Sequence, residues 1–195
     1  MLVIGFGHRA RQGKNTAALA ALESLPLQTD VHIYAFADAL KSEVRAACAK
    51  FGGQFELLEQ WKAAGLMPDW VRYEEPKPRS LLQWWGTEYR RTKDPDYWVT
   101  RLNKTLSAHN PDVALITDVR FPNEADFIHA MGGKVVKCVR VGTPDVNVHE
   151  HPSEAMLDAY RGWDYTISAA TVEDCKRQAT ALMQSLWRPS EIYLP

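Results

Sequence analysis

Five short apolar runs rich in β-branched residues, set apart by stretches long enough for helices, most constrain the fold of this 195-residue chain. They are Leu2 to Phe6, Val31 to Phe36, Asp112 to Asp118, Lys134 to Arg140 and Tyr165 to Ser168. Between and after them, helical patterns are predicted over Asn15 to Leu25, from Asp38 onward, Arg79 to Arg91, Tyr97 to Ala108, Asn123 to Met131, Ser153 to Tyr160 and Val172 to Trp187. Near-continuous apolar strands alternating with helices predict an α/β fold: a parallel five-stranded sheet with helices on both faces. The length suits a single domain over 1–195. Residues 51–78 show Gly, Pro and scattered charge without clear periodicity, and are expected to form a lid or insertion. In such sheets ligands sit beyond the carboxyl ends of the strands, so those ends carry the chemical search.

The first strand end holds the strongest signal. Leu2-Val3-Ile4 runs into Gly7-His8-Arg9-Ala10-Arg11-Gln12-Gly13-Lys14-Asn15-Thr16, and an Ala-rich helix follows. A glycine-bearing turn frees backbone N–H groups, a helix start adds partial positive charge, and a lysine reaches outer phosphates. The usual G-x-x-x-x-G-K-[ST] spacing is varied here. His8 stands where the first glycine is counted back from Gly13, and Asn15 follows Lys14, with the hydroxyl one later at Thr16. Magnesium is therefore expected to keep most of its waters, with Thr16 and Asp118 reaching it through them and no direct protein ligand assigned. A basic loop without a ligand is the competing reading.

The third strand end, Thr117-Asp118-Val119-Arg120-Phe121-Pro122-Asn123-Glu124, is the second signal. An acidic residue closing a buried strand beside a phosphate loop commonly orients Mg²⁺ or its waters, and Arg120 can counter charge on a moving phosphoryl group. The structural alternative is that Asp118 caps the next helix or pairs with Arg120. Glu124 is favoured near a helix start by the dipole alone. Asp38, after the second strand, falls on the same rim and can also cap its own helix.

The segment Arg79-Ser80-Leu81-Leu82-Gln83-Trp84-Trp85-Gly86-Thr87-Glu88-Tyr89-Arg90-Arg91 is the third. Aromatic planes beside Gln83, Thr87 and arginines suit stacking on a base, reading its edge and holding a monophosphate. A helix packing Leu81, Leu82, Trp85 and Tyr89 into the core, with Arg90 and Arg91 solvated, accounts for some of the same rings.

Composition narrows the class. A formal net charge of −1 gives no global attraction to nucleic acid. Three widely spaced cysteines without C-x-x-C predict thiols in a reducing compartment. No run reaches membrane-spanning length, and no leader layout is visible, so the expectation is a cytoplasmic chain without membrane contact. His149-Glu150-His151 reads as a loop rather than a metal site, and Ser153 as a helix cap. The tail from Trp187 to Pro195 is expected to pack on the surface or on a partner chain, as a monomer or homodimer.

These blocks, in this order, resemble the phage deoxynucleoside monophosphate kinase family, a branch of the P-loop nucleotide kinases. The resemblance rests on Ala10-Arg11-Gln12-Gly13-Lys14-Asn15-Thr16, Ala35-Phe36-Ala37-Asp38-Ala39-Leu40-Lys41, Leu82-Gln83-Trp84-Trp85-Gly86-Thr87-Glu88 with Tyr97-Trp98-Val99, and Asp118-Val119-Arg120-Phe121-Pro122-Asn123-Glu124. Gly132-Gly133 and His151-Pro152-Ser153-Glu154 follow, so it spans nearly the whole chain. It implies a P-loop kinase fold, ATP as donor with Mg²⁺, and a deoxynucleoside 5′-monophosphate as acceptor, giving diphosphates for phage DNA synthesis in the host cytoplasm. By position it implies Arg11, Gly13, Lys14, Asn15 and Thr16 for ATP; the strand-end reading makes Lys14, Asp118 and Arg120 the expected catalytic residues. Lys41, Arg79, Gln83, Gly86, Thr87, Arg90 and Trp98 fall in the acceptor set, joined here by Asp38 and Trp85. The family usually has an acidic residue at Asn15 and glycine at His8.

A phosphate monoester is already a nucleophile near neutral pH, so such a kinase needs no general base. A related task, phosphorylating the hydroxymethyl group of 5-hydroxymethyluracil in phage DNA, would need Asp38 or Asp118 as base. It would also need a basic strip, for which Arg72 to Arg91 and Arg101 to Lys104 are available. A non-catalytic nucleotide sensor is the third reading.

Overall fold

The computed structural model describes residues 1–142, 151 and 154–187. Ser153, the His149-Glu150 part of the histidine cluster and the tail from Arg188 lie outside the described residues. The chain groups into two compact units, one formed by 1–35 with 106–195 and the other by 36–105.

The first unit is the sheet. Strands β1 (Leu2–Gly7), β2 (Val31–Tyr34), β3 (Val113–Val119), β4 (Lys134–Arg140) and β5 (Tyr165–Ala169) pair in parallel in the order β2-β3-β1-β4-β5. The expected all-parallel five-stranded sheet is present. Alternation sends Ile4 and Phe6 to one face, where they join Leu115, Val136, Cys138 and Ile167 under α1 (Lys14–Glu23) and α7 (Val172–Leu186). Helix α1 meets this layer with Ala17, Ala18, Ala20 and Ala21, small side chains that let its backbone approach closely. On the other face lies α6 (Pro122–Ala130), whose Ile128 is packed over Gly5. An added Cβ at Gly5 would stand 2.4 Å from Ile128 Cδ1. Helices thus cover both faces.

The second unit is helical: α2 (Phe36–Phe51), α3 (Gln54–Ala63), α4 (Arg79–Trp84) and the first turns of α5 (Tyr97–His109). Helix α3 falls in the stretch read as aperiodic. It buries Leu57 and Leu58, adjacent in sequence, while Phe55 stays exposed and Gln, Glu and Lys take most other positions, so no clear period registers. Helix α4 does not run on as α-helix to Arg91. It widens into a π-helical segment over Trp85–Arg91. That wider turn stacks Trp84 on Tyr89, five residues on, with centroids 5.3 Å apart, and Trp61 of α3 stacks on Trp85 at 5.1 Å. A third departure lies at Glu154–Ala159, where tight turns stand in place of the predicted helix.

Candidate active site

Beyond the carboxyl end of β1 the chain turns through His8–Gly13 before α1 begins at Lys14. Three of these residues take left-handed backbone angles: His8 (φ 96°), Arg11 (φ 60°) and Gly13 (φ 89°). For His8 and Arg11 that conformation costs of order 1 kcal/mol or more each, a strain found where a loop is shaped for a ligand. At Gly13 the space is adequate, since a Cβ would meet only Cys175 Sγ at 3.5 Å. The requirement there is the backbone angle. Gly13→Ala is expected to cost about 1–2 kcal/mol of stability, measured by urea denaturation.

Side chains from distant positions hold this loop. Arg9 forms a two-pronged pair with Asp158, Nε to Oδ1 at 2.9 Å and Nη2 to Oδ2 at 2.5 Å. The Ala10 N–H donates to Glu154 Oε2 at 3.1 Å. Buried Gln12 accepts the Arg140 N–H at 2.6 Å, tying the loop to the end of β4. Arg11 and Asn15 are exposed, and Thr16 is half-buried in the first turn of α1.

Lys14 is buried, and its Nζ donates to the carbonyls of His8 at 3.1 Å and Arg9 at 2.5 Å. Burial and the nearby Arg120 guanidinium bring its ammonium down to about 8, against partial compensation from Glu154 and Asp118. Lys14, Asp118 and Arg120 therefore sit within one electrostatic neighbourhood, as their positions at the carboxyl ends of β1 and β3 predict. The link between them is Glu154. Its Oε2 receives the loop amide of Ala10, and its Oε1 pairs with Arg120 Nη1 at 2.6 Å. Glu124 supplies a second support. It is 2% exposed, and its Oε2 accepts the N–H groups of Arg120 (2.7 Å) and Phe121 (3.1 Å), fixing the backbone just past Asp118. The dipole account of Glu124 gives way to a positioning role. Glu154 carries one sequence signal, its place in the His151-Pro152-Ser153-Glu154 block.

The residues assigned to the acceptor lie in the helical unit. Asp38 and Lys41, both exposed on α2, pair at 3.2 Å. Arg79, Gln83 and Thr87 are half-buried along α4 and the π segment. Gly86 is buried, and a Cβ there would press on Leu40 Cδ2 at 3.0 Å. Trp98 is 2% exposed and donates its indole N–H to the Gly86 carbonyl at 2.9 Å, backing the glycine from behind. Trp85 and Arg90 converge on Glu43, a carboxylate on α2 that no motif in the sequence marks. Its Oε1 accepts from Trp85 Nε1 (2.8 Å) and Arg90 Nε (2.5 Å), and its Oε2 from the Tyr97 hydroxyl (2.8 Å). The Arg90 guanidinium also lies over the rings of Tyr89 (5.0 Å) and Tyr97 (4.8 Å). Burial raises the Glu43 carboxyl, but these three donors outweigh it and hold the group below its ordinary value.

No family model matches the chain. A single alignment covers 188 residues, 89% of this chain and 92% of a protein of Acanthamoeba polyphaga mimivirus named "Putative deoxynucleotide monophosphate kinase", at 30% identity. The chain belongs to the deoxynucleoside monophosphate kinase family. A second member, the deoxynucleoside-5′-monophosphate kinase of Escherichia phage T5, is 35% identical over 88 residues, 42% of this chain and 35% of that protein. The five-stranded parallel sheet with helices on both faces agrees with the α/β P-loop kinase fold that this family implies. Among the described residues, no helix is long and apolar enough to cross a membrane.

Proposed function

We propose that this kinase-family chain transfers the terminal phosphoryl group of ATP to the 5′-phosphate of a deoxynucleoside monophosphate. The observation that carries the reading is near full-length similarity to a relative bearing that activity in its name. The loop agrees with it chemically: left-handed residues, a helix start and a desolvated lysine form a site for an anionic polyphosphate. In this reading Arg11, Gly13, Lys14, Asn15 and Thr16 hold ATP. Lys14 and Arg120 neutralise charge on the group in transit. Mg²⁺ suits the available donors, one hydroxyl at Thr16 and one carboxylate at Asp118, since it retains waters and takes few protein oxygens. Bound there, it would neutralise phosphate charge.

Asp38, Lys41, Arg79, Gln83, Trp85, Gly86, Thr87, Arg90 and Trp98 are assigned to the acceptor pocket, with 51–78 as its lid or wall and 1–195 acting as one kinase domain. The acceptor dianion attacks directly, so the proposal requires no general base. Both relatives are named for deoxynucleotide monophosphates, which favours a free nucleotide over a base within DNA. Labelled ATP offered with the four deoxynucleoside monophosphates, and separately with hydroxymethyluracil DNA, tests this. Labelled diphosphate from at least one free nucleotide is the expected result. Label transferred only to DNA would overturn it.

A further inference from the structure

The amino-terminal end of the sheet carries a second cluster that phosphoryl transfer does not use. Asp30 precedes β2, and His32 and Tyr34 lie two and four residues on, so strand alternation sets all three on one face of an edge strand. His109, in the last turn of α5, meets them. One carboxylate oxygen of Asp30 and one ring nitrogen from each of His32 and His109 lie within 4.8 Å of one another. The contacts are close: His32 Nε2 to Asp30 Oδ1 is 2.7 Å, and the two imidazole centroids are 4.2 Å apart. The Tyr34 hydroxyl stands 2.6 Å from His109 Nδ1. The Asp30 backbone is held by its N–H donating to Asp112 Oδ2 at 3.1 Å.

We propose that Asp30, His32 and His109 bind a divalent transition-metal ion, of which Zn²⁺ is the best match. Two imidazoles and one carboxylate are a donor set that Zn²⁺ accepts, with solvent completing the fourth position. Ligands about 2 Å from a shared tetrahedral ion stand roughly 3.3 Å apart, a spacing that atoms within 4.8 Å of one another approach. Tyr34 supplies what a ligating histidine needs behind it. In the tautomer that carries its proton on Nδ1, donating to the Tyr34 oxygen, the Nε2 lone pair of His109 is left for the metal. The end of α5 adds a favourable electrostatic setting, because a helix carboxyl terminus carries partial negative charge.

The site has a structural meaning within the sheet unit. Val31 is level with Val113 and Leu2, at the amino-terminal end, whereas the phosphate loop leaves β1 at its carboxyl end. The chain quits this unit after Ala35 and re-enters at Leu106. An ion held by Asp30, His32 and His109 would staple the departing strand to the returning helix. Its effect is on stability, not on the transfer step.

Tag-free protein, stripped with chelator and titrated with zinc chloride in a calorimeter, tests this. One zinc per chain is expected, with a rise in unfolding temperature that chelator reverses. Asp30→Asn and His109→Gln should lose both effects while remaining folded by circular dichroism. Tyr34→Phe should weaken binding by about tenfold. His129→Ala, which disturbs the separate His129–Asp164 pair, should bind as the parent does. If a variant fails to fold, zinc-dependent shifts of the His32 and His109 ring signals in the parent decide the matter. Absence of binding heat, binding undiminished in His109→Gln, or ring signals of both histidines unmoved by zinc would overturn the proposal.

Discussion

Lys14→Met is expected to lower kcat/KM for ATP-dependent transfer by on the order of 10³-fold while leaving the fold as stable as the parent or more so. The first half follows from charge. An ammonium in a water-poor loop acts on phosphoryl oxygens more strongly than one in solvent, and a methionine of similar length keeps the packing but not the charge. The second half follows from what the ammonium costs. In the folded chain Lys14 releases its proton near 8, against an ordinary value of 10.5, because it is buried and faces Arg120. Below about pH 8 both folded and unfolded chains carry that proton, and the buried charge costs about 3 kcal/mol relative to a neutral side chain. Between about pH 8 and about pH 10.5 only the unfolded chain keeps it, so stability contributed by this group rises with pH. Urea unfolding should show the parent gaining on Lys14→Met throughout that range, with a constant difference between the two below about pH 8 and again above about pH 10.5. A flat difference between the two would refute the desolvated-lysine account. Triphosphate binding should restore the proton, so ATP affinity should fall as pH rises through about 8.

Much of the sheet unit was legible from the residues alone. Strand β4 has the bounds that the sequence predicts, because the β-branched core of Val135, Val136 and Val139 lies between Gly132-Gly133 on one side and Gly142 on the other. The nearness of Lys14, Asp118 and Arg120 is legible for another reason: parallel topology sends every strand end to one rim, so sequence position translates into place. What was not legible depends on contacts remote in sequence or on an unusual period. Glu154 reaches Ala10 across 144 residues, and Glu43 reaches Trp85 and Tyr97 across 42 and 54. A carboxylate on the polar face of a helix looks the same whether it meets water or three donors. The π segment escaped because a search at 3.6 residues per turn cannot register a side chain that pairs five positions on. The sequence alone allows Trp85 as core or pocket, and its indole N–H, donated to Glu43, shows that a buried ring can also be a positioned one.

Glu43 therefore provides the sharpest test of the acceptor assignment. Glu43→Ala removes the acceptor from three donors at once, leaving the Arg90 guanidinium, the Trp85 indole and the Tyr97 hydroxyl to find water in a half-buried place. Hydrogen bonds to a charged group contribute about 1.5–3 kcal/mol each and are not additive here, so a loss of about 3–5 kcal/mol is expected in denaturant unfolding. Glu43→Gln, which keeps an oxygen but not the charge, should lose less. Because the carboxyl is held below its ordinary value, its contribution is present at neutral pH and disappears as pH falls through that lowered value. Parent and Glu43→Gln should accordingly converge in acid. If Arg90 and Trp85 hold the acceptor, Glu43→Gln should also raise the KM for the deoxynucleotide about tenfold, equivalent to about 1.4 kcal/mol. The KM for ATP, proposed to rest on the His8–Gly13 loop, should stay nearly unchanged. Equal changes in both constants would mean that Glu43 supports the fold alone, and that Arg90 and Trp85 are core residues and not part of the pocket.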